Sequence, residues 1–523
     1  MIEKKWKNVD EVHEHAKKAV NKRIRDLICE ETLSKYYLHP NNKGWIGNAI
    51  ESDWFGIPNN NRGEADIPYL GLEIKVTPIK KTKNGWSAKE RLVLNIFDFN
   101  DEYKRSFEHA SFVEKAELTE LMYYEYLVNE ESPDLYIKAA TLFDLKKLPE
   151  EDMLIIKQDW EKIVEYILQG KAEELSDSLT KYLGATTKGA KSERNMTKQP
   201  FSEVMAHRRA FTLKGSYMSQ VAKKIMTENH ETERVIKNNH ELKVNTFEEI
   251  IIKKFKPYVG KTKKELAQLF DIDIPEKNDK ASSALLAKRM LNLDSSIDDT
   301  EEFKKADISV KILTVESKKR RTTEGFKILI PGQSTINPAK LVKEDWEDSS
   351  LREYLTSYQF LLVVYEKRES ETYFQGVKFW RVPFRDLEGD IKKSWEEIKS
   401  IFKKGVTLKY KKLEMPTKTG RLYNVTNNLP GIRRGKILHI RPSAKRASYS
   451  KNKSLSVQLP SKSIWVDKPK KTDWVEGTEP QMSVAEELSD YYMTKQTWWF
   501  NADYMYEQVS DVVENYHYYV DSE

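Results

Sequence analysis

The sequence predicts a mixed α/β protein in which one architecture is built twice in tandem. Three observations carry that expectation. Residues 1–227 alternate segments of helical period with short strand-like runs, the pattern of an α/β domain. Across 228–245 the chain turns polar and loses any apolar period, which marks a linker. Residues 246–523 then repeat landmarks of the first half in the same order: the stretch from Trp160 to Gly170 returns from Trp395 to Gly405, and Phe211 to Met218 is echoed by Trp498 to Met505.

The elements follow from side-chain spacing. Residues 9–28 place Val9, Val12, Ala16, Ala19, Val20, Ile24 and Leu27 on one stripe, which predicts a packing helix. Ile46, Ile50 and Trp54 recur every four residues and predict a second helix over 43–55, with Glu51 two turns in. Pro58 to Gly63 reads as a loop. It leads into Asp66 and a strand at Leu72 to Val76. Successive side chains alternate along a strand, so Glu73 and Lys75 share one face while Leu72, Ile74 and Val76 share the other. A basic turn over 80–89, a strand over 91–97, a helix over 117–128, a strand over 135–143 and a helix from Asp159 to Leu168 complete the first half, the last stopping at Gly170. In the second half the counterpart of the motif strand is Ile308 to Leu313. It keeps a lysine at Lys311 but carries Ser309 where Glu73 would stand.

Composition narrows the classes. At 523 residues the chain exceeds one ordinary domain, and 39% hydrophobic with 33% charged residues allows real cores under a charged surface. Lys+Arg 88 against Asp+Glu 82 leaves only +6, so local distribution decides whether a polyanion binds. The runs Lys318 to Arg321, Lys409 to Lys412 and Lys468 to Lys471 all fall in the second half, where phosphate contacts are the expectation. Cys29 is the lone cysteine, which excludes an intramolecular disulfide and a cysteine-rich zinc site and fits a reducing cytoplasm. The start does not read as a signal peptide. The strongest apolar run, Phe360 to Tyr365, is a buried strand too short for a bilayer, so no membrane role is expected. His13 and His15 read as surface residues, and the acidic, tyrosine-rich stretch from Ser510 carries no functional reading.

The chemistry lies in Asp66, Glu73 and Lys75. Two carboxylates beside a lysine can hold a divalent metal against a phosphodiester and orient a water to attack it. Taken alone, Asp-x6-Glu-x-Lys recurs by chance, and a strand bearing Glu and Lys is most often a solvated face. Glu51 on the preceding helix and the apolar opposite face of the strand favour the functional reading. Oxygen ligands without a His or Cys cluster point to Mg²⁺, with Mn²⁺ able to substitute.

The ordered set Lys43-Gly44-Trp45-Ile46-Gly47…Glu51, Asp66…Glu73-Ile74-Lys75, Lys89 to Ile96, Lys157 to Glu161, Phe211-Thr212-Leu213-Lys214, Lys343 to Asp348 and Met493 to Gln496 resembles the MutH-like nucleases of the PD-(D/E)xK superfamily, and within them the larger Sau-type restriction endonucleases. The resemblance runs along nearly the whole chain. It implies two tandem MutH-like domains, catalytic over 1–227 and catalytically degenerate over 246–523. Asp66, Glu73 and Lys75 would be the D…ExK catalytic set and Glu51 its helix-borne fourth member, with Asp66, Glu73 and Glu51 as metal ligands. The implied activity is that of a type II enzyme cutting double-stranded DNA at GATC to leave 5′ overhangs, with the second domain binding a further site as an allosteric effector.

By position, Lys188 in Thr187-Lys188-Gly189-Ala190, together with Thr212 and Lys214, falls in the DNA-reading loops of the first half; Arg441 and Ser443, in a stretch similar to the MutH recognition loop, do so in the second. Thr212 departs from the adenine-contacting tyrosine of MutH. The same resemblance implies a bacterial cytoplasmic protein, a cognate DNA methyltransferase, and a monomer able to dimerise on DNA. The alternatives are a MutH-like mismatch-repair nicking endonuclease and a non-catalytic DNA-binding protein.

Overall fold

The strand bearing Glu73 and Lys75 is β1 (Leu72–Thr82), and the first sheet is assembled around it. In the computed structural model, residues 5–39, 44–58, 64–83, 85–188, 195–227, 232–274, 279–417, 421–432, 436–470 and 487–514 are described. Parts of the loop expected at 58–63 and of the linker, Gly189, Ala190, Lys471 and the end of the acidic tail lie outside them. β1 turns back into β2 (Gly85–Ala88), and the chain leaves this sheet as β3 (Leu92–Phe97) before returning as β4 (Leu118–Glu125) and β5 (Ile137–Asp144). The strand order is β2-β1-β4-β5, with β1 and β4 parallel and the other pairs antiparallel. Leu72 and Ile74 join Ala49, Ile50, Ile67 and Met122 in one core cluster, so the expected apolar face of β1 is core.

Two expectations are corrected here. Residues 117–128, whose spacing predicts a helix, form β4. Thr119 to Tyr123 are all buried, because a parallel strand covered on both faces loses the polar alternation that identifies a strand locally. The helix expected over 9–28 ends at Lys17. The backbone of Asn21 and Ile24 is instead drawn to the strand β5 and its approach, where Asn21 N donates to Ile137 O at 2.8 Å and Ile24 N to Leu135 O at 2.9 Å. A separate helix follows at Glu30–Leu38.

The helix Glu150–Leu168 precedes β6 (Leu183–Thr187), the hairpin β7 (Met196–Gln199) with β8 (Ser202–His207), and β9 (Arg209–Leu213). A three-stranded sheet has the order β3-β9-β6, and the helix Gly215–Met226 leaves its central strand.

The second half repeats this plan. β10 (Ile308–Glu316), β11 (Arg321–Thr322), β13 (Gln359–Arg368) and β14 (Glu371–Trp380) form a sheet ordered β11-β10-β13-β14. β12 (Phe326–Lys327), β17 (Leu438–Pro442) and β21 (Gln496–Phe500) form one ordered β12-β21-β17, and the helix Ala502–Glu507 follows its central strand. The repeated tryptophans, Trp160 and Trp395, are both buried in helices whose ends meet a positive-φ glycine, Gly170 at +66° and Gly405 at +107°. The second half also carries β15 (Thr407–Lys412) between β16 (Tyr423–Asn427) and β19 (Ile464–Val466), and a pair made by β18 (Ser456–Gln458) and β20 (Tyr492–Thr494).

The chain folds into two compact units: Met1–Lys254 with Lys288–Val310 and Ser357–Gln359, and Phe255–Ala287 with Lys311–Thr356 and Phe360–Glu523. The first unit therefore draws on residues far along the chain. Lys305 Nζ lies 2.7 Å and 2.8 Å from the two carboxylate oxygens of Asp152, with both side chains only 4% exposed. Among the described residues no helix is long and apolar enough to cross a membrane.

Candidate active site

Asp66 and Glu73 are brought together by a tight reversal of the chain. Ile67 and Leu72 exchange backbone hydrogen bonds around the 3-10 turn Pro68–Leu70, and Gly71 closes it at φ +61°, a conformation that glycine adopts without strain. Asp66 thereby lies alongside β1: its Oδ2 accepts from Ile74 N at 2.9 Å, and its own N–H donates to Glu73 Oε2 at 3.2 Å.

Glu73 is buried, not part of a solvated face. Its Oε1 is ion-paired with Lys75 Nζ, and Lys115 Nζ from the helix Ser111–Ala116 lies 3.9 Å from the same oxygen. Lys115 escaped the sequence reading because its place depends on the parallel register of β4 on β1, where Glu73 stands opposite Thr119. A strand mistaken for a helix hides that neighbour.

Glu51 sits where the helix Trp45–Ala49 widens into a π turn, Ile50–Trp54. Burial, reinforced by the charges of Asp66 and Glu73 and opposed by Lys75 and Lys115, pushes its carboxyl up to about 7. Burial also raises Glu73, against the pull of Lys75. Burial would lower Lys75, but Glu73 holds its ammonium above the usual lysine value. Glu51, Asp66, Glu73, Lys75 and Lys115 thus form one electrostatic cluster in which three carboxylates share two ammonium groups.

Among the described residues no three His, Cys, Asp or Glu side chains meet tightly enough to cage a metal unaided. A hard divalent ion does not require such a cage: Mg²⁺ is ordinarily held by one or two carboxylates with water and substrate phosphate completing the shell. Glu51, Asp66 and Glu73 bring hard carboxylate oxygens into this one cluster, and that donor chemistry fits such an ion. His13 and His15 are half-buried packing groups and not surface residues. His13 Nδ1 lies 2.9 Å from Glu120 Oε2, and His15 stacks on Trp54 at 4.5 Å while its Nε2 meets Trp54 O at 3.0 Å.

The family profile described as DNA mismatch repair enzyme MutH matches residues 55–159, a span that begins just past the π turn and runs through the motif strand and the parallel β4. The type II restriction enzyme Sau3AI of Staphylococcus aureus is 34% identical over 513 residues, covering 96% of this chain and 98% of that protein. This chain belongs to the Sau3AI family of type II restriction enzymes. The MutH proteins are similar over less of it. That of Shewanella woodyi is 28% identical over 29% of this chain and 62% of its own length, and that of Shewanella baltica 23% identical over 42% of this chain and 96% of its own.

For a restriction enzyme the remaining question is where DNA is touched, and the five sequence-derived candidates fall into different environments. Lys188 is exposed just past β6, its N–H donating to Arg208 O at 2.9 Å. Thr212 is fully buried in β9, its hydroxyl accepting from Thr186 at 2.9 Å. Lys214 is also buried, donating to the carbonyls of Thr180 at 2.6 Å and Ala306 at 3.1 Å; burial brings its ammonium down to about 8. Arg441 and Ser443 lie half-buried at the end of β17 and just beyond it. Ser309 is the second residue of β10, as Glu73 is the second residue of β1. Of the basic runs, Lys409, Lys411 and Lys412 are exposed on β15, whereas Lys468 is engaged by Asp490 at 2.8 Å.

Proposed function

We propose that the protein is a Mg²⁺-dependent endonuclease that cuts double-stranded DNA at GATC to leave 5′ overhangs, and that its second half binds a further DNA site as an effector. The observation that carries the reading is the buried Glu73, held between Asp66 and two lysines, with Glu51 beside them raised by burial and, after it, by the charges of Asp66 and Glu73. Asp66, Glu73 and Glu51 would hold the ion, and Mn²⁺ could replace it. The chemistry such an ion supplies is polarisation of the scissile phosphate and a lower pKa for a bound water.

The protein's own groups do the rest. Asp66 is fixed to the backbone of β1, and Glu73 is held by the Asp66 N–H and the two lysines, so both carboxylates are positioned before an ion binds. Lys75, held charged by Glu73, stabilises the negative charge that develops on the phosphate. Glu51, raised to about 7 by burial, would be favoured in its ionised form by the positive charge of a bound ion. Ser309 cannot replace a carboxylate, which is why catalysis is assigned to residues 1–227, completed by the packing of 288–310, and DNA binding alone to the half that follows the 228–245 linker. Lys188 in the first half and Arg441 and Ser443 in the second are the proposed DNA contacts; Thr212 and Lys214, buried in the first half, would act by shaping its DNA-reading loops and not by touching a base. The setting is the reducing cytoplasm of a bacterium, where the exposed Cys29 stays free and a cognate methyltransferase protects the host. The chain is a monomer that pairs on DNA.

Incubating the protein with Mg²⁺ and a plasmid carrying GATC sites, then sequencing the ends, tests this. Discrete double-strand ends at GATC support it. Nicks confined to hemimethylated DNA would favour a MutH-like repair role, and intact but gel-shifted DNA would leave binding alone.

A further inference from the structure

One face of the sheet β12-β21-β17 carries an assembly that the catalytic reading does not use. The register pairs Lys327 and His439 with Trp499, and Arg441 with Thr497, so these five side chains share one face; Phe326, Leu438, Ile440, Trp498 and Phe500 face the core. Arg441 Nε donates to His439 Nε2 at 2.7 Å, and the guanidinium lies 4.5 Å over the Trp499 ring. The indole is itself anchored, its N–H donating to Thr497 Oγ1 at 2.9 Å. Gly325 leaves the room for this, since a Cβ there would come 2.7 Å from Arg441 Nη2.

Because an arginine Nε–H can only donate, His439 Nε2 accepts, and the imidazole is neutral with its proton on Nδ1. His439 is fully buried, and that Nδ1 has no partner among the described residues. Burial and the neighbouring Arg441 hold the imidazole down at about 4, so it remains an acceptor. Among the described residues Arg441 has no carboxylate partner, and neither Nη group meets an acceptor. Glu324, the acid whose charge it feels, is ion-paired with Lys280.

The first half supplies an internal contrast. Counting from the residues where the three strands meet, Leu92, Leu213 and Leu183 in one sheet and Phe326, Phe500 and Leu438 in the other, the positions of His439, Arg441 and Trp499 correspond to Gly184, Thr186 and Thr212. The brace belongs to the second half alone.

We propose that His439 is a positioning residue for DNA readout: with Trp499 it fixes Arg441 so that its two Nη groups address the O6 and N7 acceptors of a guanine in duplex DNA. With Nε occupied, the guanidinium retains one planar pair of donors, which matches the adjacent major-groove acceptors that guanine presents. A phosphate contact would not need this bracing. The inference rests on the proposal that the second half binds DNA.

The test uses the full chain in EDTA, titrated with a short GATC duplex carrying either guanine or 7-deazaguanine, which lacks N7. The second of two binding events is read for wild type, Arg441→Lys, His439→Ala and His439→Gln, with thermal midpoints recorded alongside. The expected result is an affinity penalty of about fivefold or more for 7-deazaguanine in wild type. It should vanish in Arg441→Lys and His439→Ala and return in His439→Gln, whose amide oxygen can accept from Nε. Should His439→Ala fail to fold, wild type against Arg441→Lys decides. A second event indifferent to 7-deazaguanine, or a penalty that survives in Arg441→Lys or His439→Ala, overturns the inference and leaves DNA binding by the second half standing. A single binding event in wild type overturns both.

Discussion

Removing the charge of Glu73 in two different ways separates its chemistry from its structural work. Its carboxylate is ion-paired with Lys75, has Lys115 at 3.9 Å and accepts the Asp66 N–H at 3.2 Å. Glu73→Ala leaves two ammonium groups facing a cavity and strands the Asp66 donor. Breaking a buried pair in this way costs about 3–5 kcal/mol. Glu73→Gln keeps the volume and an acceptor for Asp66 and loses only the charge, at a cost of about 1–3 kcal/mol.

Both variants should lose cleavage by about a thousandfold or more, since neither offers an anionic ligand, while DNA binding in EDTA stays within a few fold. Urea unfolding and plasmid cleavage, measured on the same preparations, provide the two readouts. Cleavage by Glu73→Gln within tenfold of wild type would remove Glu73 from the catalytic set. Equal stability of Glu73→Ala and wild type would show that the buried cluster is not assembled as described.

Three further outcomes follow from other contacts. Lys115→Ala should cut the cleavage rate tenfold or more with little loss of DNA binding; an unchanged rate would show that its ammonium acts on neither Glu73 nor the phosphate. Lys305→Met should destabilise the first unit by about 3–5 kcal/mol, because Asp152 is left charged and buried, and Asp152→Asn combined with it should cost much less than the sum in urea titrations. Lys214 is depressed from 10.5 to about 8, so its stability contribution is present above its unfolded value and is lost as pH falls through 8. At pH 7 the penalty is about 3 kcal/mol, partly offset by its two carbonyl hydrogen bonds. Lys214→Met should therefore gain on wild type by about 2 kcal/mol more at pH 7 than at pH 10, and a gap independent of pH would refute the shift.

The motif was legible because it is local. Glu73 and Lys75 are two apart on one strand, and Leu72 and Ile74 supply the apolar back that holds that strand in the core. The tandem plan was legible because Trp160 and Trp395 open the same buried helical face, and the paired stretches that end the two halves form the central strands β9 and β21. The sequence alone determined these features, the motif because its residues lie within a few positions of one another and the tandem plan because the same local stretches recur in the same order.

What only tertiary structure decided involves residues far apart in sequence. β4 is a strand because β1 lies parallel to it, and that pairing is what brings Lys115 to Glu73. The first unit needs Lys305, from beyond the polar linker, to neutralise Asp152. His439 and Trp499 acquire their meaning only where two strands place them on one face with Arg441. Burial has the same origin: the strand pattern by itself left Glu73 open to a solvated face, and it is a buried charge because Asp66, Lys75 and Lys115 converge on it in the folded chain.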